Sequence, residues 1–481
     1  MNYKMTRYIL GKMFGVEAII ILLPAIVSWI YKEESGYSFL ISSAILLLIY
    51  LCFGRKKPEN TTIYTKDGLI IVSAAWVLWS VFGALPFYIS GSIPNYIDAF
   101  FETVSGFTAT GSTVIGDVSK ISKGINFWRC LTLWIGGMGV LIFVMVITSL
   151  HDKNSMHLMR AEVPGPELSK LVPKARTTAK ILYGMYFALT VIMVVFLLAG
   201  GMDLYDSITH AFSTAGTGGF NNRTNSIAFY NSIYIEIVIT VFMILFGINF
   251  NLYYLFLFKK VKNVWKDEEV RAYFIVIIVA TVLIAMNIFD IYGTVFQSLR
   301  YALFQVASTI TTTGFATDDF NLWPEFSKSM ILIVGFIGSC AGSTGGGIKV
   351  ARFLILLKSI KKEIAKMIHP KSIRIIKING KKINEETIHG VYMYMIAYVF
   401  ILIISVLIVS LDNFDFATSF SGVLSAINNG GLGISKVGPS GNFSQFSVLS
   451  KVVLCLDMLI GRLEIFPFLM LLSPNLWRKK F

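Results

Sequence analysis

Charge is scarce in this chain. Asp, Glu, Lys and Arg make up 15% of its 481 residues, while 55% are hydrophobic and the mean hydropathy is +0.68. A soluble domain cannot hide that much apolar surface, and single soluble cores rarely reach this size. Cysteine is rare too. Cys52, Cys130, Cys340 and Cys455 lie in apolar segments without paired spacing or a histidine cluster nearby, which argues for buried thiols rather than disulfides or a metal site. The five histidines (His151, His157, His210, His369 and His389) lie mostly in basic loops. They form no nucleophile–base pair and no ligand set, which argues against an intramembrane enzyme. The first apolar run, from about Met13 to Ile30, is of spanning length and has no small-residue cleavage site, so it reads as a helix rather than a signal peptide.

What is present is apolar sequence of membrane length, end to end. Runs at roughly 13–31, 38–53, 68–90, 127–149, 179–200, 229–258, 272–290, 327–358, 388–411 and 447–472 predict ten spanning helices of an all-α polytopic membrane protein. Lys and Arg are unevenly spread among the loops. With the first residues inside and the runs alternating, 32 of the 42 fall on the inner side, nine on the outer, and Arg462 within a helix. This bias predicts both ends on the cytoplasmic face. Loops facing anionic lipid account for the net charge of +14 better than nucleic acid does.

After a leading helix pair (1–60) one pattern recurs: a spanning helix, a short stretch rich in Ser, Thr and Gly, a second helix and a basic loop. The predicted units are 61–155, 156–262, 263–360 and 361–481. The short stretches align without gaps on their last glycine: "DAFFETVSGFTATG" (98–111), "DSITHAFSTAGTGG" (206–219), "YALFQVASTITTTG" (301–314) and "TSFSGVLSAINNGG" (418–431). Six residues before Gly111, Gly219, Gly314 and Gly431 stand Ser105, Ser213, Ser308 and Ser425. A single such piece is an ordinary helix-packing motif; four in register are a repeat. Each is too short to span and too apolar for a solvated loop. A half-helix returning as an extended segment fits both facts, and such backbone is tolerated at membrane depth only inside protein or beside a watery cavity. Four around one axis would enclose a re-entrant-loop pore.

A dehydrating cation needs oxygens, and backbone carbonyls supply them. Glycine allows the positive φ that turns those carbonyls, and half-helix C-termini favour a cation. There is no dense carboxylate ring at the glycines, which points to a monovalent ion rather than a divalent one.

On the motifs "TATGST", "STAGTGGFNNRTN", "TITTTGFATDD", "INNGGLG", "GSTGGGIKVAR" and "GRLEIFP" the chain resembles the Trk/Ktr/HKT potassium transporter superfamily, most closely its TrkH branch, over essentially its whole length. The resemblance implies K⁺ uptake across a prokaryotic cytoplasmic membrane through a pseudo-fourfold, potassium-channel-like pore. Carried over by residue, the selectivity filter is Ala109, Thr110 and Gly111; Thr217, Gly218 and Gly219; Thr312, Thr313 and Gly314; and Asn429, Gly430 and Gly431. Glycine at all four last positions is similar to the potassium-selective relatives rather than to those favouring sodium. The fourth loop departs from the pattern with Leu432 where proline is common. The resemblance also implies a homodimer with separate pores and a cytoplasmic, nucleotide-binding regulatory ring of the TrkA type. No nucleotide motif or organic cofactor site exists in this chain; the transported K⁺ is its only implied ligand. A Na⁺-permeable or proton-coupled symporter on the same scaffold is the alternative.

Below the predicted filter, "GSCAGSTGGGIK" (338–349) holds too much glycine for a stable helix turn. It lacks the Gly-Lys-Ser/Thr ending of a phosphate loop. It reads either as a kink that lets a neighbour pack or as a flexible loop under the pore; the resemblance implies a gate at Gly342, Ser343, Thr344, Gly345, Gly346 and Gly347. Arg462, costly at membrane depth, either projects into the pore, as in the family, or pairs with Asp457 or Glu464. Glu102, His210 and Gln305 share one position nine residues before the glycines and read as polar bracing or, less simply, a proton relay. Asp98 and Asp206 begin two half-helices as helix-start residues or as a mild cation funnel. The Lys-rich segment 358–387, with β-like "IRIIKINGKKI", reads as an inner basic loop; the resemblance makes it the contact for the regulatory ring.

Overall fold

The computed structural model describes residues 2–60, 62, 65–139, 175–257, 266–372 and 374–472. The far part of the apolar run 127–149, most of the basic stretch 150–180, residues 259–265 and the basic end 475–481 lie outside the described residues, as do His151 and His157.

The chain opens with α1 (Tyr3–Ile20), α2 (Leu22–Ile30), which continues it, and α3 (Gly36–Phe53). Gly11 and Gly54 let the first and third helices touch: a Cβ on Gly11 would lie 2.5 Å from the Gly54 nitrogen. Small residues at such a crossing are how apolar helices approach in lipid.

One order of elements then recurs four times. The first unit holds α4 (Thr65–Gly83), α5 (Leu85–Ile89), the short α6 (Tyr96–Phe107) and α7 (Lys123–Gly137). The second holds α8 (Ala175–Ala199), the short α9 (Leu204–Gly216), α10 (Ile233–Phe246) and α11 (Phe250–Leu257). In the third come α12 (Glu268–Asn287), α13 (Phe289–Tyr292), the short α14 (Val295–Ile310), α15 (Glu325–Ile337) and α16 (Val350–Ile368). The fourth has α17 (Glu385–Val409), the short α18 (Phe416–Ile427), α19 (Val448–Leu463) and α20 (Ile465–Leu472).

Local chemistry explains where the short helices start. Asn95, Asp203, Thr294 and Asp415 each turn a side-chain oxygen to an N–H of the first turn, of Ile97, Asp206, Gln297 and Thr418 respectively. These residues satisfy donors that have no helical partner. Asp98 and Asp206 therefore sit inside the first turn rather than at the cap. There their charge suits the positive end of the helix.

Among the described residues six helices are long and apolar enough to cross a membrane. Among the described residues, the apolar runs that supply the second helices of the last three units are each broken in two. The run 229–258 breaks at Gly247, 327–358 at Gly338 (φ 76°) and 447–472 at Glu464 (φ 65°). In each case the second helix of the unit stops 13 to 16 residues from its start.

The core packs around aromatic side chains. Phe107 lies between Trp79 and Trp128, with ring centroids 5.5 and 6.0 Å away, and Trp128 donates to the Gly83 carbonyl at 2.9 Å. Outward faces are apolar as well: Phe400, Ile403, Ile404 and Leu407 of α17 are exposed, as a helix in contact with lipid requires. Between α16 and α17 a two-stranded hairpin pairs β1 (Lys377–Ile378) with β2 (Lys381–Lys382), with Lys377 opposite Lys382. Its Asn379–Gly380 turn has positive φ at both residues, 53° and 76°, the two-residue turn that matches strand twist.

Candidate functional site

The extended segments that follow the four short helices meet. A Cβ added to Gly111 would lie 1.4 Å from the Gly218 carbonyl oxygen, one on Gly219 2.0 Å from that of Thr313, one on Gly314 3.1 Å from that of Gly430, and one on Gly431 2.5 Å from that of Thr110. Each oxygen belongs to the residue before the aligned glycine of the next unit. The contacts therefore run from first to second, third and fourth unit and back to the first: a closed ring of equivalent backbone.

The backbone repeats as well. Ala109, Thr217, Thr312 and Asn429 have φ of 56°, 56°, 58° and 53°, and Gly111, Gly219, Gly314 and Gly431 have 83°, 71°, 79° and 75°. The residue between each pair is not left-handed. Alternating hands can turn successive carbonyls toward one side of a segment. A left-handed Ala or Thr costs about 1–2 kcal/mol and needs support from its surroundings. Part of that support is one hydrogen bond made four times. The N–H of Thr110, Gly218, Thr313 and Gly430 donates to the carbonyl of Ser105, Ser213, Ser308 and Ser425 at 2.8, 3.0, 2.8 and 2.8 Å. The aligned serines thus act through their main chain. The Ser308 hydroxyl donates to the Phe315 carbonyl at 2.7 Å, while the Ser105, Ser213 and Ser425 hydroxyls are buried with no hydrogen-bond partner among the described residues.

Side chains then make the quarters unequal. Thr108 and Thr110 share a hydrogen bond at 2.8 Å, as do Thr311 and Thr313. Asn429 of the fourth unit donates to Thr110 Oγ1 and to the Met458 carbonyl, both at 2.9 Å. Leu432, where proline was the familiar residue, uses its N–H to reach the Gly430 carbonyl at 2.9 Å. Behind the first segment Glu102 and Arg129 form a fully buried ion pair at 2.7 Å. Glu102 also accepts from Thr113 Oγ1 (2.9 Å) and the Val114 N–H (2.9 Å), and Arg129 lies over the Phe220 ring at 4.1 Å. His210 turns Nδ1 toward the Asp206 carbonyl (2.8 Å) and stacks beside Phe315. Gln305 lies near Thr309, 3.5 Å away. Glu102 and His210 thus touch separate segments, while Gln305 bonds within its own helix.

Sequence reasoning missed a set of clasps between units. Asn126, Glu236 and Lys451 each stand four residues after the serine that begins the second helix of a unit (Ser122, Ser232, Ser447). Each is tied to the short helix of the next unit. Lys451 bonds Asp98 at 2.6 Å and Glu236 bonds Arg300 at 2.5 Å. Asn126 reaches Asp206 through Asn222, at 2.5 and 2.8 Å. The equivalent Lys328 of the third unit instead pairs with Glu325 of its own helix. At that seam lies a cavity of about 40 Å³, lined by Gln305, Thr309, Leu332, Gly335, Ser425 and Gly430 among others. On the far side of the ring Asp117 accepts from Ser119 Oγ (2.5 Å) and from Thr224 of the second unit (2.9 Å). These bonds, with Lys120, hold its carboxyl well below the usual range.

The glycine-rich stretch lies directly against the third and fourth segments. The Gly346 N–H donates to Thr312 Oγ1 at 2.6 Å and the Gly347 N–H to the Asn428 carbonyl at 2.9 Å. A Cβ on Gly346 would lie 2.0 Å from that same Asn428 oxygen, so only glycine fits. Thr344 reaches the Phe246 carbonyl and Ser343 shares a bond with Ser339. Arg462 donates to the Thr344 carbonyl at 2.8 Å and to the carbonyls of Gly136 and Gly137 at 2.6 and 2.5 Å. Glu464 pairs with Arg352, and Asp457 accepts from Ser405 at 2.8 Å. Arg462 thus connects the stretch to the end of α7.

Residues 39–479 match the family model TrkH, described as a cation transport protein. The chain is 33% identical to the Trk system potassium uptake protein TrkH of Escherichia coli K12, over the full length of both. It is 34% identical to the TrkH protein of Vibrio parahaemolyticus, covering 99% of this chain and 100% of that one. The crystal structure of the potassium transporter TrkH from Vibrio parahaemolyticus superposes with a TM-score of 0.87 at 31% identity, over 99% of this chain and all of the other.

Proposed function

The chain belongs to the TrkH family of cation transport proteins, and from that premise we propose that it takes up potassium through the ring of glycine segments. It is a bacterial membrane transporter, not an enzyme. In this reading the carbonyls of Ala109, Thr110 and Gly111, of Thr217, Gly218 and Gly219, of Thr312, Thr313 and Gly314, and of Asn429, Gly430 and Gly431 coordinate K⁺. The observation that carries it is the closed ring, in which each unit's glycine meets the preceding carbonyl of the next under one repeated alternation of backbone hand. Only carbonyl and hydroxyl oxygens belong to those segments, which suits a monovalent ion.

Gly342 to Gly347 form the gate and Arg462 is its latch. The loop is bonded to Thr312 and Asn428 at the ring, and Arg462 bonds both the loop and the end of α7. A guanidinium under the ring also raises a barrier to cations. The basic face, including the hairpin, is cytoplasmic, and a TrkA-type regulatory ring acts there on a homodimer. Deleting Gly342–Gly347 tests the gate: K⁺ flux into proteoliposomes rises in a folded protein if the loop obstructs the path, and unchanged flux removes it from that role.

A second reading, a Na⁺-permeable or proton-coupled symporter, draws on two buried carboxyls: both oxygens of Glu17 and one of Asp457 have no hydrogen-bond partner among the described residues. K⁺ uptake driven by a proton gradient alone would favour it. Uptake that follows only the membrane potential favours the channel-like pore.

A further inference from the structure

The hairpin and the glycine loop are fastened to consecutive residues at one helix start. Asp267 caps α12: one oxygen accepts the N–H groups of Glu269 and Val270 at 2.9 and 3.2 Å. Its other oxygen accepts Asn379 Nδ2 at 2.8 Å. Glu268 doubles the tie. Its N–H donates to Asn379 Oδ1 at 2.7 Å and its carboxylate accepts the Asn379 N–H at 2.9 Å. The same carboxylate binds Lys358, which also donates to the Lys377 carbonyl at 2.7 Å.

Glu269 points the other way, into the protein. One oxygen accepts the N–H of Ala341 at 2.6 Å and that of Ala351 at 3.2 Å. These two residues stand on either side of Gly342–Gly347, Ala341 just before it and Ala351 in the first turn of α16. Main-chain donors at a broken helix have no helical partner and must be satisfied when buried. A single carboxylate satisfies both and so draws the two ends of the loop together, with bonds stronger than neutral ones. Because its partners are main chain, the carboxylate and the loop move together.

We propose that Glu269 is the positioning residue of the glycine loop, and that Asp267, Glu268 and Asn379 make the hairpin the lever that sets it. A displaced hairpin strips Asn379 from the α12 cap, the first turn loosens, and Glu269 loses its grip on Ala341 and Ala351. Lys358 shares a groove with Lys361, Lys362, Arg374 and Lys377, so an acidic protein surface seated there competes with Glu268 for Lys358 and works the lever. The inference rests on the reading of Gly342–Gly347 as the gate.

Cys340, buried at the start of the loop, is a native reporter. The full chain, with its other three cysteines replaced by serine, is reconstituted in liposomes, and Cys340 is reacted with a water-soluble thiosulfonate. Glu269→Ala raises the rate by about tenfold or more, the effect of losing a charge-assisted bond. Glu269→Gln, which keeps an acceptor oxygen without the charge, raises it less. Asn379→Gly preserves the turn while removing both side-chain bonds; it and Lys358→Met also raise the rate, though neither residue touches the loop. Asn379→Gly adds nothing on top of Glu269→Ala. Parental rates in Asn379→Gly and Lys358→Met overturn the lever, and a parental rate in Glu269→Ala overturns the positioning role. Should Glu269→Ala fail to fold, the two hairpin variants decide alone. If Cys340 opens in every variant while K⁺ flux stays constant, the linkage stands and the gate reading fails instead.

Discussion

Asn429 of the last unit donates a hydrogen bond to Thr110 of the first, 2.9 Å away and 319 residues earlier in the chain. The bond closes the ring at the seam where the chain's beginning and end must meet. Asparagine serves because its amide donates to Thr110 Oγ1 and to the Met458 carbonyl together, a fork that a threonine hydroxyl cannot make.

Replacing Asn429 with Thr removes that fork. The K⁺-over-Na⁺ flux ratio falls several-fold, consistent with losing about 1 kcal/mol per hydrogen bond. A double-mutant cycle with Thr110→Val shows coupling between the two positions; independent effects would deny the link.

The four ring glycines differ in tolerance. Gly111→Ala places a methyl 1.4 Å from the Gly218 oxygen, whereas Gly314→Ala meets Gly430 at 3.1 Å. Gly111→Ala therefore abolishes K⁺ transport, while Gly314→Ala yields folded protein with reduced selectivity. Flux and size-exclusion profiles of the pair check the order.

Arg462→Ala frees the Thr344, Gly136 and Gly137 carbonyls and raises K⁺ flux. Arg462→Lys keeps the charge but loses the planar fork, so it gives an intermediate rise. Equal flux in all three proteins would show that the latch does not limit conduction.

Glu102 and Arg129 are buried together, 0% and 1% exposed. Removing one charge leaves the other uncompensated, so Arg129→Met and Glu102→Gln each cost about 3–5 kcal/mol of stability, while the double variant costs less than the sum. Thermal unfolding in detergent measures all three.

The four segments that meet in the ring were legible in sequence because their parts repeat in register. Gly111, Gly219, Gly314 and Gly431 stand in the same place in each unit, and so do the four serines, although Ser105 and its equivalents work through main-chain carbonyls that residue identity does not display. The clasps at Asn126, Glu236 and Lys451 were hidden because one position holds an amide, an acid and a base; what repeats is complementarity with the next unit. The breaks at Gly247 and Glu464 were hidden inside apolar runs, since hydropathy measures composition rather than backbone. Glu269 reads as an ordinary acid at a helix start until Ala341 and Ala351 are found beneath it.

Parallel K⁺ and Na⁺ uptake into proteoliposomes under an imposed inside-negative potential, for the parent and for Gly314→Ser, tests the central claim most directly. The ring account predicts K⁺ uptake well above Na⁺ uptake in the parent and a ratio moving toward unity in the variant. Equal rates for the two ions in the parent, or an unchanged ratio in a folded Gly314→Ser protein, would contradict it.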